Sequence, residues 1–410
     1  MKTADPELMR AINRFHVMDA IRRHGPIARV EISDCTELSA TTVSAITAAL
    51  LDDGLIVTRQ VGAIRDAARG RPRVMLELNP AAAHVVGVKL SPHRITVAVT
   101  NFRADLLATL SLPIRLDRQP DDVIFDLVED GIHRCILDAG LGVEEIVGIC
   151  VGLPGVVERG SGVCRQSMVF RERNVPVAAG LQRRFPKASV TIDSDVNLVT
   201  LAEHWFGDAR GLDNFLVVSV EHSLGLGILH NGELFRGAAG LSPDLGDLHV
   251  RPPEASNAAR LSAIASEASI LAEAEVLLRG TEHERAFRLD RGMAKVLELA
   301  RAGDTAILEL LTGVGEALGF AIANLITLFA PPKVILAGAA MEAEAALLTP
   351  LRRTVAMLVP PSLADVAEIV VHRWSDDMWA RGAAAMTLRD LYGAPWGTTG
   401  PAPRPHPTPL

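Results

Sequence analysis

The chain has 410 residues, 49% of them apolar, and a formal net charge of −8. That length exceeds one small core, so two or three domains are expected, and the acidic balance excludes a protein that is basic throughout. Cys35, Cys135, Cys150 and Cys164 are scattered without a C-x-x-C pair, which argues against a disulfide framework or a cysteine zinc site. No secretory segment opens the chain and no apolar run of about 18 residues appears, so no membrane span is expected and a cytoplasmic location follows.

Ile12, Phe15, Val17, Met18 and Ile21 fall at helical spacing, and Gly25-Pro26 stops that helix. Ala28 to Cys35 forms a second, short helix. Ser39 then caps a third, in which Val43, Ile46 and Leu50 repeat as a core face. The opposite face presents Ala40, Thr41, Thr42, Ser44 and Thr47, short side chains that let a helix lie close to base edges. Asp52-Asp53-Gly54 ends this helix. Leu55-Ile56-Val57 begins a strand, Gln60 to Arg71 is a loop, and Val74-Met75-Leu76 returns as a second strand.

That order is a winged helix-turn-helix over residues 1–80. Residues 59–73 hold Arg59, Arg65, Arg69, Arg71 and Arg73 against Asp66 alone, a local positive charge suited to phosphates. Arg69-Gly70-Arg71-Pro72 suits a narrow minor groove, because glycine allows close approach and proline holds an extended path. The expected DNA-binding residues are Ser39, Thr41, Thr42, Ser44 and Thr47 on the helix, with Arg65, Arg69, Arg71 and Arg73 on the wing. A helical subdomain with a solvated charged loop is the alternative.

From residue 81 the pattern is α/β. Strands are expected at 85–88, 95–99, 146–151 and 190–192, then at 215–220, 226–229 and 334–337, with helices at 121–139 and 314–329. Two strand–helix sets in succession predict two α/β lobes around a cleft. The first spans 81–205, completed by a C-terminal helix 380–393, and the second spans 206–379. The tail 395–410, rich in Pro, Gly and Thr, reads as disordered.

Four motifs carry a resemblance. Gly152-Leu153-Pro154-Gly155, Ser194-Asp195-Val196-Asn197, Gly225-Leu226-Gly227 with Asn231 to Gly237, and Pro332 to Gly338 occur in the order seen in the ROK family. That family comprises sugar-responsive repressors and sugar kinases on the actin-like, hexokinase-like (ribonuclease H-like) fold, and the head is similar to the winged helix of its repressors. The resemblance runs from about residue 10 to 392.

Kinases of the family place Asp-x-Gly-Gly-Thr between the first two strands to cradle ATP phosphates. Here the matching stretch is Lys89-Leu90-Ser91-Pro92-His93. Lysine replaces the aspartate and proline removes a backbone donor. Asp195 matches the family's catalytic base, and Ser194 stands in place of its usual Asn neighbour. Asp244 and Asp247, in Pro243 to Asp247, replace the sugar-binding Glu and a zinc-ligating His. The family's cysteine cluster is missing from 251–266, and His249 has no thiolate partners, so no metal and no cofactor are expected.

The resemblance therefore implies a transcriptional regulator, a repressor of carbohydrate genes and not an enzyme. Its expected partners are an operator duplex and a sugar or polyol effector at Ser194, Asp195, Asp244 and Asp247. A homodimer or homotetramer is expected. A ROK carbohydrate kinase is the alternative function. Loop-capping for Asp195, and turn roles for Asp244 and Asp247, are the alternatives for the site.

Overall fold

The computed structural model describes residues 6–60, 74–237, 240–251, 257–372 and 376–392. The wing arginines Arg65, Arg69, Arg71 and Arg73, and the tail 395–410, lie outside the described residues.

The spacing of Val17, Met18 and Ile21 buries one stripe of helix Pro6–His24. Helices Arg29–Thr36 and Ala40–Asp52 follow, then strands Ile56–Gln60 and Val74–Leu78. These strands pair antiparallel, and a short strand Ile27–Ala28 joins the other edge of Val74–Leu78. That third strand escapes a sequence pattern because two residues carry no period. Met18, Ile32, Val43, Leu50 and Leu76 are fully buried and form the core of this winged helix-turn-helix.

Thr47 corrects the expected outer face of the third helix. It is fully buried, and the inward stripe is Val43, Thr47 and Leu50, while Ile46 is only half-buried. Its hydroxyl donates to the Val43 carbonyl (2.8 Å) and accepts from Arg29 Nε (2.8 Å). A threonine whose hydroxyl can bond the preceding turn satisfies itself inside a core. Thr47 thus ties the two helices of the motif together and is not on the exposed face.

The described parts of Met1–Gly152, Pro176–Ile192 and Trp379–Leu410 form one compact unit; those of Leu153–Val175 and Asp193–Met378 form another. In the first, a five-stranded sheet runs in the order Ser189–Ser194, Ile146–Leu153, His84–Ser91, Arg94–Asn101, Leu106–Leu112. The edge strand Leu106–Leu112 is additional to those expected, because only alternate residues are even half-buried and its hydrophobic signal is weak. Helix Asp121–Asp138 covers this sheet, and helix Asp376–Leu391 contributes the buried Trp379, Ala383 and Leu388.

In the second unit, a five-stranded sheet runs Glu233–Leu234, Leu224–His230, Phe215–Val220, Lys333–Ala337, Glu368–Val371. Phe215–Val220 is antiparallel to Leu224–His230 and parallel to Lys333–Ala337. The expected boundary at 205 is displaced, since Leu153–Val175 and helix Asp195–Phe206 both fall in this unit. Packing decides it. A Cβ at Gly225 would sit 2.8 Å from Val196 Cβ, and one at Gly227 would sit 1.8 Å from Thr200 Oγ1, so these two glycines let the helix lie directly on strand Leu224–His230.

Helix Thr305–Phe329 is 25 residues long and, by length and composition alone, apolar enough to cross a membrane, contrary to the expectation of no such segment. More than half of its most apolar stretch is buried, and the helix packs on Thr349–Leu358 and Glu267–Leu277, as the core helix of a folded domain does. Glu309 and Glu316 interrupt its apolar sequence. All four cysteines are free thiols, and burial pushes that of Cys135 up to about 11.

Candidate functional site

On the head, Ser39 sits just ahead of helix Ala40–Asp52, and its Oγ accepts the Thr42 backbone N–H (3.1 Å). Thr42 Oγ1 lies 2.8 Å from Ser39 Oγ, so Thr42 belongs to the cap and is half-buried. Ser39, Ala40, Thr41, Ser44, Ala45 and Ala48 are exposed. Glu37 has φ 57°, and the Ser33 hydroxyl donates to the Leu38 carbonyl; both fix the turn between the helices. The outcome is a face of short side chains on a rigid support.

In the second unit, Ser194, Asp195, Asp244 and Asp247 all border one cavity of about 290 Å³. All its lining residues lie within that unit. The volume is near the lower end for small-molecule sites. Asp195 opens helix Asp195–Phe206, where the helix dipole favours a negative group, and its Oδ1 accepts the Val196 N–H (2.8 Å). Asp244 Oδ1 accepts the Gly246 N–H (2.9 Å). Burial, and then the Asp247 charge, raise the Asp244 carboxyl above its ordinary range.

Asp247 differs from its neighbours. Its side chain is 63% exposed and pairs with Arg260 at 3.2 Å, so it stands at the rim with its charge partly answered. His249 and Val250 pair with Arg260 and Ala259 as a small antiparallel ladder.

Some lining residues carried no sequence signal. Gln166 and Ser167 reach the cavity because strands Val156–Glu158 and Val163–Gln166 pair as a hairpin. Gly155 permits that approach with φ 103°, where a Cβ would lie 2.3 Å from the Gln166 carbonyl oxygen.

Beside the cavity, Asp193 is fully buried and takes Arg236 Nη2 at 2.5 Å, Arg159 Nη1 at 3.4 Å and Asn197 Nδ2 at 2.8 Å. Burial pushes its carboxyl up, but Arg236 and Arg159 outweigh that and hold it below the usual carboxylate range. An acid lowered in this way contributes stability that is present above its unfolded pKa of about 4 and is lost as pH falls through its folded value. Asp193→Asn leaves two arginines facing a neutral group. It should cost about 3–5 kcal/mol in urea unfolding at pH 7. A loss below about 1 kcal/mol would show that the cluster does not brace Ser194 and Asp195.

The turn that matches the kinase phosphate cradle is a tight hairpin. Ser91 pairs with Arg94 across Pro92-His93. The Ser91 hydroxyl donates to the Arg94 carbonyl (3.2 Å), and the Leu116 N–H to the Pro92 carbonyl (2.8 Å). Lys89 Nζ stacks 3.5 Å over the Trp379 ring. Proline removes one N–H from this turn, and no glycine opens it to a phosphate.

The chain is 26% identical over 399 residues to the xylose repressor of Caldicellulosiruptor bescii, covering 95% of this chain and 98% of that one. It is 28% identical over 348 residues to the DNA-binding transcriptional dual regulator NagC of Escherichia coli K12, covering 83% and 84%. Its fold superposes on a crystal structure of a ROK family transcriptional regulator, described as a homologue of the E. coli MLC protein. The TM-score is 0.77 at 23% identity, covering 94% of this chain and 97% of that one. A ROK family glucokinase from Streptomyces griseus, solved with glucose and AMPPNP, matches at TM-score 0.63 and 20% identity, over 74% of this chain and 99% of that one. Residues 85–390 match the model of the ROK family, and the chain belongs to that family.

Proposed function

We propose that the protein is a cytoplasmic DNA-binding transcriptional regulator of carbohydrate genes, acting as a repressor whose ROK body senses a sugar or polyol. The observation that carries this reading is the join of a complete helix-turn-helix, with an exposed small-residue face, to a ROK body whose phosphate turn is a closed Pro92-His93 hairpin. Relatives named as repressors, aligned over nearly the whole chain including the head, support it.

Ser39, Thr41 and Ser44 would face the major groove. Thr42 would act mainly by holding the cap. Arg65, Arg69, Arg71 and Arg73 would supply phosphate or minor-groove contacts. The effector would occupy the cavity at Ser194, Asp195 and Asp244, with Asp247 at the rim. Ligand binding lowers DNA affinity by the difference in its affinity for the two states. A homodimer or homotetramer would present paired heads to two half-sites.

No phosphoryl transfer is expected, because the turn lacks the metal-holding carboxylate and Pro92 removes one of its backbone donors. A coupled assay with ATP, Mg²⁺ and a panel of hexoses should stay at background. Turnover well above background would replace this reading with a carbohydrate kinase that carries a DNA-binding head. Genome-wide mapping of bound DNA would point to the regulated genes.

A further inference from the structure

The helix that begins at Asp195 carries a second cluster of ligating side chains at its other end, about 12 Å away along the axis. Glu203 lies in the last turn of helix Asp195–Phe206 with its side chain fully buried. Its Oε2 accepts the Asp208 backbone N–H (2.9 Å), which folds the carboxylate back beneath the helix end. Its Oε1 lies 2.6 Å from His372 Nδ1, and Asp208 Oδ2 lies 3.4 Å from the same nitrogen. One ligand atom from each of the three side chains falls within 4.8 Å of the others.

The three residues come from separate places: a helix, the turn after it, and the position following strand Glu368–Val371. The His372 N–H on the Leu336 carbonyl (2.9 Å) holds the last of them. An independent feature also points to a cation. The carbonyl end of a helix carries partial negative charge, and here it faces two carboxylates. Lys333, the nearby amine, is turned to the Asp208 carbonyl (3.2 Å) and to Glu368 (3.2 Å), which leaves the Asp208 carboxylate to the cluster.

We propose that Glu203, Asp208 and His372 form a binding site for a divalent transition metal of the zinc class. Two carboxylate oxygens and one imidazole nitrogen are a donor set for such ions rather than for Mg²⁺. Tetrahedral Zn²⁺ with bonds of about 2 Å holds its ligand atoms about 3.3 Å apart. The His372–Asp208 separation of 3.4 Å already suits that geometry, and the His372–Glu203 contact of 2.6 Å opens by about 0.7 Å. The Asp208 N–H on Glu203 is the kind of outer bond that orients a ligand. Asp208 is 57% exposed and His372 21%, so an ion has a route in and room for water. The bound ion would tie the edge of the sheet to the helix that begins at the cavity.

The rival account is an ion pair, with protonated His372 serving as the cation. Calorimetry with ZnCl₂ on the full-length, EDTA-treated protein separates the two. Wild type should take up about one equivalent. Asp208→Asn and His372→Gln should each weaken that uptake by about tenfold or more. Asp208 is 57% exposed, so Asp208→Asn should melt with the wild type in the absence of metal and is the decisive variant; His372→Gln takes a partner from the buried Glu203 and is titrated below its own melting temperature. An equal concentration of Mg²⁺ should not displace Zn²⁺. No uptake by the wild type, or unchanged affinity in both variants, overturns the site.

Discussion

Ser44→Glu should weaken binding of the full-length protein to its selected duplex by about 100-fold or more, with the melting temperature of the free protein unchanged. Ser44 is exposed on helix Ala40–Asp52, one turn after the Ser39 cap. Glutamate is a good helix former, so the head keeps its fold. In the groove, however, the longer side chain meets base edges that a serine clears, and its charge is set among phosphates. Losing two good base contacts, or burying one unanswered carboxylate, costs about 3 kcal/mol, which is about 100-fold. The contrast is Thr47→Val, which removes a buried hydroxyl bonded to Arg29 and Val43. It should lower thermal stability first and affinity only through the fold. If Ser44→Glu binds like the wild type in a mobility-shift assay, this helix is not the reading element.

Asp195→Ala should weaken binding of the tightest neutral sugar or polyol by about 10- to 100-fold in calorimetry, the range for loss of a hydrogen bond to a charged group. Asp195 borders the cavity from a helix N-terminus, and its carboxylate, an acceptor for several hydrogen bonds, takes the Val196 N–H as one of them. Charge selects the ligand class as well. Asp195 and Asp244 each set a carboxylate at the border of the same cavity. A phosphate about 5 Å from either carboxylate would be repelled by about 3 kcal/mol at an effective dielectric constant of 20. A neutral sugar should therefore bind more tightly than its phosphate. Equal binding of the neutral ligand to wild type and Asp195→Ala, or tighter binding of the phosphorylated form, would remove Asp195 from the site.

Local patterns in the chain carried the head and the main strands. The Ser39 cap, the helical spacing of Val17, Met18 and Ile21, and continuous apolar runs such as Phe215 to Val220 are short-range signals, and each element formed where its signal stands. The motif residues Ser194, Asp195, Asp244 and Asp247 were legible too, and the fold brings all four to one cavity.

Tertiary packing decided the rest. Thr47 reads as polar and outward by composition, yet the inward stripe passes through it and Arg29 arrives from another helix to use its hydroxyl. The burial of Asp193 depends on Arg159 and Arg236, which lie 34 and 43 residues away in the chain. Asp247 sits at the rim because Arg260 reaches it across a short two-stranded ladder. Helix Asp195–Phe206 joins the second unit through close approach at Gly225 and Gly227, a contact no periodicity encodes. A side chain's period along its own element is written in its near neighbours; its partner across space is set only when distant segments pack.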